Sequence, residues 1–552
     1  MKRLGVIIIC TLFFILNTKA QTLLQIAHCS GDTALSSVDV WLDSVRIAND
    51  IDYRHSTNYR SVSFNSLGSV LSITPSNSID TTGAFFRDTV MLIENSRHQI
   101  FLHGNVSGGY NPSVPLDIDM HLNSRVASGT VDNSDVAFFN GITDMGAMTL
   151  FESSVVNDLI ILGLDHGHHS AYTSLEGLNY LIQLQDSASS VLREFKMSLA
   201  AFGLRDSAFT IAFTGFDSPS SNNNGAPIRM ELVPNQGGPF ESFSIATASI
   251  QVIHNSIDPG LSAIDIYSQE NLITDNLNFR SGTSYLEIPS GIETEIGIAR
   301  GSATGVQDTL ISKTVSLTFD ESYILVIQGM DDSSLPSFKP LSTLFFESKL
   351  QAATSSITDI VAINGCPDLL QIDIKETSII DDYIFQSLDY GTSSGYNPLP
   401  SSIYQIELRN AVTNALIKAY SVDLSDLGGT SKTWVISGLS DTLISDSTNN
   451  AGIWVHGNTS GKLVEMSNFT GIQSIKGNGI SVFPNPTSEF VYIKGKFNNH
   501  TYRIVSSSGV LVKSGSLNGL NQISLESLPS GQYHLQLTDG KSAKSETIIL
   551  VR

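Results

Sequence analysis

Residues 23–42 read LLQIAHCSGDTALSSVDVWL, and the rest of the fold follows from this pattern. An apolar run ends at His28, an aspartate follows at Asp32, and a second apolar run begins at Val38. Short apolar runs separated by Gly, Ser and Asp are typical of β-strands joined by turns. The same arrangement occurs three more times, so the chain contains an internal repeat.

The repeat is defined by three columns of residues. Each copy has His or Asn at the end of its first strand and Asp four residues later: His28/Asp32, Asn140/Asp144, His254/Asp258 and Asn364/Asp368. A later stretch begins with Asp or Asn and ends seven residues on in a tyrosine: Tyr59, Tyr172, Tyr285 and Tyr396. A glycine follows a hydrophobic strand near the end of each copy, and we assign Gly104, Gly215, Gly329 and Gly457. Turn chemistry explains these columns: Asp accepts backbone N–H groups, Gly permits positive φ, and Tyr anchors a corner.

The first copy contains seven predicted strands, which read LLQIAHC, SVDVWL, YRSVSF, VLSITP, DTVMLIE, HQIFLHG and LDIDMHL. Several of them alternate apolar and polar residues, as half-buried strands do. Seven short strands within about 110 residues fit a two-sheet sandwich. We therefore predict an all-β protein of tandem Ig-like antiparallel β-sandwiches plus a small C-terminal β-sandwich, the tandem units stacked end to end as a rod.

The predicted boundaries follow the repeat. We expect a signal peptide at 1–20, sandwiches at 21–130, 131–240, 241–354 and 355–468, a linker at 469–479 and a C-terminal domain at 480–552. The signal peptide prediction depends on Lys2 and Arg3, followed by an apolar run too short to span a bilayer. We expect no transmembrane segment after its cleavage.

The formal net charge is −22, which disfavours nucleic acid and anionic membrane surfaces as partners. The two cysteines outside the leader, Cys29 and Cys366, are too few for a disulfide framework, and we expect both to be half-buried.

Three chemically suggestive motifs have simpler structural explanations. The stretch from Leu162 to Leu175 carries His166, His168 and His169, which are a possible metal site but lie in the interior of a repeated loop that we expect to be solvated. Gly391–Gly395 matches G-x-S-x-G, but prolines follow where a nucleophile elbow needs a helix. Asp32 with Asp39, or Asp258 with Asp265, would make only a weak calcium site. We therefore predict no catalytic residue, no cofactor and no metal.

Two of the copies resemble a known family. HCSGDTALSSVDVWLD at 28–43 and HNSIDPGLSAIDIYSQ at 254–269 resemble the opening of the bacterial domain-of-unknown-function family 4397, as does LEIPSG at 286–291. The second and fourth copies are more divergent. The resemblance implies a sandwich fold in a secreted protein and no established activity.

The C-terminal segment resembles a different family. Pro484-Asn485-Pro486, Ser508-Gly509, Leu528–Tyr533 and the apolar tail ending in Arg552 are similar to the type A C-terminal sorting domain of the bacterial type IX secretion system. The resemblance implies the secretion machinery as a partner and export through the periplasm. It also implies removal of this domain and a secreted or outer-surface location.

These observations predict a non-enzymatic extracellular protein with an adhesive or structural role and an unknown protein or glycan ligand. One alternative is an array of carbohydrate-binding modules, although Trp41, Trp434 and Trp454 lie in predicted strands where core packing is expected. A metal-dependent hydrolase that uses the histidine triplet is the other alternative.

Overall fold

A computed structural model describes residues 21–440, 450–468, 481–494, 500–506, 510–517, 522–538 and 543–552. The predicted signal peptide and the linker at 469–479 lie outside these ranges. The chain forms two compact units, Met1–Asn468 and Phe469–Arg552. Within the described ranges the regular structure is β-strand with four short 3-10 turns and no α-helix, which confirms the all-β prediction. None of the helical turns described is long and apolar enough to cross a membrane.

The first half of the larger unit contains two sandwiches. The strands of the first are β1 Leu23–His28, β2 Ser37–Leu42, β3 Val45–Asp52, β4 His55–Ser56, β5 Arg60–Ser61, β6 Ser69–Pro75, β7 Phe86–Val90, β8 Arg97–His103 and β9 Asp117–Leu122. The strands of the second are β10 Asn133–Ile142, β11 Met148–Glu152, β12 Asp158–Leu164, β13 Thr173–Glu176, β14 Asn179–Gln185, β15 Val191–Ser198, β16 Ala208–Gly215 and β17 Arg229–Val233. Three short strands follow: β18 Gly238–Pro239, β19 Glu241–Ser242 and β20 Ser244–Ile245.

The second half repeats this order. The strands of the third sandwich are β21 Thr247–Asn255, β22 Ala263–Ser268, β23 Asn271–Asn278, β24 Ser281–Gly282, β25 Leu286–Pro289, β26 Glu293–Arg300, β27 Thr309–Ser316, β28 Ser322–Gln328 and β29 Ser342–Glu347. The strands of the fourth and of its end are β30 Ile357–Asn364, β31 Gln371–Glu376, β32 Tyr383–Asp389, β33 Asn397–Pro400, β34 Ile403–Asn410, β35 Leu416–Asp423, β36 Ser431–Ser437, β37 Gly452–His456, β38 Gly461–Lys462 and β39 Val464–Glu465. The 3-10 turns are Thr33–Leu35, Pro219–Ser221, Pro259–Leu261 and Val306–Asp308.

All four sandwiches share one topology. In the first, one sheet has the order β4-β1-β8-β9 and the other has the order β3-β2-β6-β7. The first strand runs parallel to a strand near the end of the unit, as β1 does with β8, β10 with β16, β21 with β28 and β30 with β36. This parallel pair joins the two ends of each repeat, and it is a feature that an antiparallel prediction does not contain.

One strand of the first sandwich was assigned wrongly from the sequence. The polar stretch VRIANDID forms β3, an eight-residue strand, whereas most of the predicted strand YRSVSF is not extended and only Arg60–Ser61 pairs. The side chains of Ile47 and Ile51 are buried and those of Asn49 and Asp52 are exposed. The pairing of β3 with β2 shifts register, so the buried residues of β3 do not occur at every second position. The sequence of β3 therefore lacks the alternation by which a strand is predicted.

The sandwiches pack in two pairs, sheet against sheet, rather than end to end. In the first pair Phe101 of β8 stacks on Phe139 of β10 with ring centroids 4.4 Å apart. These rings belong to a buried cluster with Ala27, Cys29, Ala212, Val233 and Phe240 that is separate from both sandwich cores. In the second pair Ile253, Ile324, Val326, Ile363, Val435 and Leu463 form the equivalent cluster. We call these interfaces the first and second seams.

Burial on two faces explains the composition of the seam strands. All eight residues of β16, AFTIAFTG, are buried. Phe209, Ile211 and Phe213 face the sandwich core, whereas Ala212 faces the first seam. A strand covered on both sides reads as a nearly continuous apolar run. Full burial of one such side chain contributes about 1.5–3 kcal/mol, so each seam is a substantial source of stability.

Each pair is also joined by an exchanged strand. Between β17 and β19 of the second sandwich, β18 crosses to the first sandwich and pairs with β4, Gly238 opposite Ser56. Between β37 and β39 of the fourth sandwich, β38 pairs in the same way with β24 of the third. The sheets of the odd-numbered sandwiches are therefore completed by short segments of the even-numbered ones.

The smaller unit forms two sheets in the residues described. Its strands are β40 Ser481–Phe483, β41 Phe490–Lys494, β42 Thr501–Ser506, β43 Leu511–Ser516, β44 Gln522–Ser524, β45 Gly531–Thr538 and β46 Ala543–Leu550. One sheet has the order β40-β41-β44 and the other has the order β43-β42-β45-β46. Their buried side chains, among them Val491, Ile504, Leu535 and Ile548, form one core, as predicted for a small sandwich.

Candidate functional site

The His/Asn column ties the first strand of each sandwich to the next loop. His28 Nε2 lies 2.6 Å from the Leu35 carbonyl, and His254 Nε2 lies 2.6 Å from that of Leu261. Asn364 Nδ2 donates to the carbonyl of Leu369 at 2.8 Å. The imidazoles and the amide therefore occupy equivalent structural positions.

The Asp column organises the loop that follows the glycine strand. The Asp32 carboxylate accepts the N–H groups of Val106 and Ser107 at 2.7 and 2.8 Å. Asp258 accepts those of Asp331 and Asp332 at 2.9 and 2.8 Å. These backbone donors occupy the carboxylates that would have to bind calcium. The column therefore builds loops, as predicted.

The second set of calcium candidates has a separate structural use. Asp39 Oδ1 accepts the N–H of Asp50 at 2.7 Å, and Asp265 Oδ1 accepts that of Asn276 at 2.8 Å. Asp50 and Asn276 have φ values of 48° and 53°, at the irregular register between the second and third strands of their sandwiches. Asp39 and Asp265 therefore stabilise a left-handed turn within the strand.

The tyrosine column converges on the connections within each pair. Tyr59 Oη lies 3.0 Å from Ser124 Oγ. Tyr172 Oη accepts the N–H of Arg125, the residue that follows Ser124, at 2.9 Å. In the second pair Tyr285 contacts Ser348 at 2.9 Å and Tyr396 accepts the N–H of Lys349 at 3.0 Å. Tyr59 is therefore equivalent to Tyr285, and Tyr172 to Tyr396, and all four hydroxyls reach the connection within their pair.

One member of the glycine column was assigned wrongly. Gly104, Gly215 and Gly329 have φ between 84° and 104°, and the fourth residue of this kind is Gly438, at 103°, rather than Gly457. Asp368 shows the same equivalence, because it accepts the N–H of Ser440 just after Gly438. A Cβ on Gly104 would lie 2.1 Å from the Pro115 carbonyl oxygen, so the position admits no side chain.

In the first and third sandwiches, the loop that precedes the column tyrosine lies in a seam. This corrects the prediction that the loop is solvated. Arg54 Nε lies 3.0 Å from Glu231 Oε2 of the second sandwich, and the Glu231 side chain is almost fully buried. Arg280 occupies the same place in the second pair, where its guanidinium lies 3.9 Å from the ring centroid of Trp454. Both arginines have positive φ, 61° and 54°.

The histidine triplet also lies in the first seam. His166 meets His103 of the first sandwich with ring centroids 5.2 Å apart, and His169 stacks on His121 at 4.2 Å. His169 Nδ1 contacts Asp119, and His168 is exposed. Burial lowers the pKa of His103 and His121 to about 4 and lowers that of His166 as well. The partner His103 ends β8 and the partner His121 lies in the neighbouring β9.

The remaining motifs lie where core packing or turns explain them. The G-x-S-x-G match at Gly391–Gly395 runs into strand β33, so it has no following helix and is not a nucleophile elbow. Trp41 and Trp434 are buried, and Trp454 is half-buried beneath Arg280. Cys29 and Cys366 are both free and fully buried, more than the predicted half, and burial raises their pKa well above the usual range.

An open cleft occurs at the same place in both pairs, mainly polar in the first and mixed in the second, and we take these clefts as the candidate binding sites. The first has a volume of about 410 Å³ and is lined by residues 48–52, 55–58, Arg60 and 236–238. The second has a volume of about 490 Å³ and is lined by residues 273–278, 281–284, Leu286 and 460–462. Each lies between the third strand of the odd-numbered sandwich and the exchanged strand.

The cleft walls are rich in groups that form hydrogen bonds. Asn49, Asp52 and Asn58 are exposed in the first cleft. Asp275, Asn278 and Ser284 are exposed in the second. Asp52 and Asn278 occupy equivalent positions, seven residues before Tyr59 and Tyr285. Carboxylate, amide and hydroxyl groups at fixed spacing suit a polar ligand better than an apolar one.

Family models match two parts of the chain. Residues 481–551 match the secretion system C-terminal sorting domain, and residues 248–375 match the domain of unknown function DUF4397. The second match covers the third sandwich and continues into β31 of the fourth. Both predicted resemblances are confirmed, whereas the presence of further copies of that domain stays a prediction.

Three solved structures are distantly similar to this chain. The Bacillus anthracis TIE protein is 9% identical, with 82% of this chain and 72% of that chain covered and a TM-score of 0.12. PorZ, a surface component of the type IX secretion system of Porphyromonas gingivalis, is 10% identical, with coverages of 95% and 99% and a TM-score of 0.13. A Bacteroides ovatus glucan-locus protein, SGBP-B, is 10% identical, with coverages of 77% and 96% and a TM-score of 0.10. No curated protein matches the sequence significantly.

The sorting domain determines the location of the protein. It indicates export through the periplasm to the cell surface or beyond, which confirms the predicted localisation. It also implies interaction with the secretion machinery.

Proposed function

We propose that this exported protein, which carries a type IX sorting domain and a DUF4397 domain, is a non-catalytic interaction protein of the cell surface. Residues 21–468 would act as a rigid scaffold for adhesion or structural contacts. The observation that carries the proposal is the repetition of one open cleft in the two sandwich pairs. Two equivalent sites on one chain provide bivalent binding, which raises avidity without any new contact.

The seams supply the rigidity that such a scaffold needs. Each pair buries an apolar cluster between its sheets, and an arginine on one sandwich reaches the other. The edges of both clefts are formed by strands that cross from one sandwich to the next. A cleft therefore keeps its shape only while its pair remains assembled.

A polysaccharide remains the alternative ligand, because amide and carboxylate groups line both clefts. Aromatic stacking on sugar rings would need an exposed aromatic platform, and among the residues described no Trp, Tyr or Phe lines either cleft. The proposed recognition is therefore by hydrogen bonds, which suits a polar surface of either glycan or protein.

Binding of the full chain to glycan arrays and to immobilised matrix proteins tests the proposal. The variants Asp52→Ala and Asn278→Ala each alter one cleft, and Asp426→Ala, an exposed site on the fourth sandwich, is the control. We expect each single cleft variant to weaken binding, the double variant to weaken it far more, and the control to bind normally. Equal binding by the double variant and the wild type would refute the role of the clefts, and turnover of a bound molecule would refute a non-catalytic role.

A further inference from the structure

Two imidazoles lie close together across the first seam, in an edge-to-face arrangement whose centroid separation suits two ligands of one metal ion. His103 ends β8 of the first sandwich, and His166 lies in the loop between β12 and β13 of the second. Their ring centroids are 5.2 Å apart and their planes are inclined by 83°. With metal–nitrogen distances of about 2.0–2.1 Å, two imidazoles on one tetrahedral ion have centroids about 5 Å apart.

Both rings carry a nitrogen that is buried without a hydrogen-bond partner. These atoms are Nδ1 of His103 and Nε2 of His166. His103 is only 7% exposed, so solvent reaches little of its ring. A buried polar atom without a partner loses free energy unless water or an ion fills the site.

The hydrogen bond on the other side of His166 leaves its free nitrogen suited to metal binding. His166 Nδ1 lies 2.9 Å from the carbonyl oxygen of Ile142. A carbonyl only accepts, so Nδ1 carries the proton and Nε2 keeps its lone pair. An imidazole whose far N–H donates to a carbonyl has the outer-shell arrangement usual for metal-ligating histidine.

The second seam shows that the scaffold does not need these histidines. Gln328 and Tyr390 take the places of His103 and His166 by strand register and by position in the loop. In each pair a glycine follows the loop residue, Gly167 after His166 and Gly391 after Tyr390, and packs against the side chain of the opposite sandwich. A Cβ on Gly167 would meet His103, and a Cβ on Gly391 would meet Gln328. The same packing is thus achieved without imidazole in the second pair, where Gln328 Oε1 and Tyr390 Oη are also buried without a hydrogen-bond partner, so it is the imidazole chemistry that distinguishes the first seam.

We propose that His103 and His166 bind one divalent transition-metal ion, such as Zn²⁺, across the first seam. Imidazole suits Zn²⁺, Cu²⁺ and Ni²⁺ and is a poor ligand for Ca²⁺ and Mg²⁺. No three His, Cys, Asp or Glu side chains in the described ranges are already arranged around one point. The ion therefore has two protein ligands, and water completes its shell. Because these ligands belong to different sandwiches, the ion links the first pair, and this inference is independent of the proposed function.

Zinc titration of the full chain, purified without a polyhistidine tag and followed by calorimetry and elemental analysis, tests this site. The variants are His103→Gln and His166→Tyr, which introduce the residues found at the same places in the second seam. His534→Gln in the sorting domain is the matched control. Loss of an outer-shell partner alone costs about 10- to 100-fold in affinity, so loss of a ligand should cost at least tenfold.

We expect one Zn²⁺ per wild-type chain, at least tenfold weaker binding in each seam variant and unchanged binding in the control. Thermal unfolding of apo protein checks that the variants fold, and added Zn²⁺ should raise Tm only where both histidines are present. A wild-type chain that takes up no stoichiometric Zn²⁺, or folded seam variants that bind as tightly as wild type, would overturn the assignment.

Discussion

Arg54 of the first sandwich and Glu231 of the second form an ion pair across the first seam, with Nε and Oε2 3.0 Å apart. The side chain of Arg54 is 12% exposed to solvent and that of Glu231 is 2% exposed. Thr214 Oγ1 donates to Glu231 at 2.8 Å and Ser242 Oγ does so at 3.0 Å. The carboxylate is therefore fully engaged by partners that include the opposite sandwich.

Removal of one member of this ion pair should destabilise the larger unit. Arg54→Ala removes the close cationic partner of the buried Glu231 carboxylate and leaves only the half-exposed Arg229, whose Nη1 lies 3.9 Å away. Loss of a buried ion-pair partner costs up to about 3–5 kcal/mol. Arg205→Ala is the matched control, since Arg205 and Asp132 form an exposed pair at 3.4 Å and a loss of this kind costs about 1 kcal/mol at most. Urea unfolding followed by circular dichroism measures both. Equal midpoints for Arg54→Ala and the control would show that the seam ion pair contributes little.

The aromatic stack should be as important as the ion pair. Phe101 is fully buried and lies against Phe139 in the first seam. Phe101→Ala removes this contact and leaves a cavity, at a cost of about 3–5 kcal/mol. Leu67→Ala, at an exposed position, should change the free energy of unfolding by no more than about 0.5 kcal/mol. A shift of the urea midpoint no larger than that of Leu67→Ala would mean that the pair does not depend on this stack.

The parts of the fold that were predictable from the sequence are those fixed by short-range geometry. Tyr59 and Tyr285 recur because each hydroxyl must reach a serine at a fixed distance along its own sandwich. Asp32 and Asp258 recur because each caps the same loop. Such requirements act within one copy and therefore appear as a period.

The seams were not predicted because their partners lie in different copies. Arg54 and Glu231 are 177 positions apart and nothing local couples them. One signal was present: the middle of β10, Val136–Phe139, is apolar at consecutive positions and β16 is nearly so, which indicates burial on both faces rather than one exposed face. The clefts depend on strand exchange, and the two residues Gly238–Pro239 contain no sequence pattern that predicts pairing with another sandwich.

The stability of the larger unit should fall in mild acid. Burial lowers the pKa of both His28 and His254 to about 4, against about 6.5 in an unfolded chain. Between these values the unfolded state binds more protons than the folded state. The contribution of the two neutral histidines to the free energy of unfolding is therefore fully present above pH 6.5 and is lost as the pH falls towards 4. The slope is roughly 1.4 kcal/mol per pH unit for each histidine.

Asparagine at these two positions provides a matched variant, because Asn140 and Asn364 occupy the same structural place in the other two sandwiches. His28→Asn combined with His254→Asn should reduce the loss of stability between pH 6.5 and 4.5 in urea unfolding. An unchanged slope in this double variant would assign the acid sensitivity to other groups.

Deletion of residues 480–552 should retain the protein in the periplasm. The sorting domain is a separate folded unit with its own core, so its removal leaves the buried clusters of the four sandwiches intact. Fractionation of the producing bacterium, with antibodies against the sandwiches, should find the truncated protein in the periplasm and the full chain at the surface or in the medium. Phe101→Ala in the full chain is the control for destabilisation, because it weakens the larger unit but keeps the sorting domain. If the truncated protein still reached the surface, the export signal would have to lie within residues 21–468.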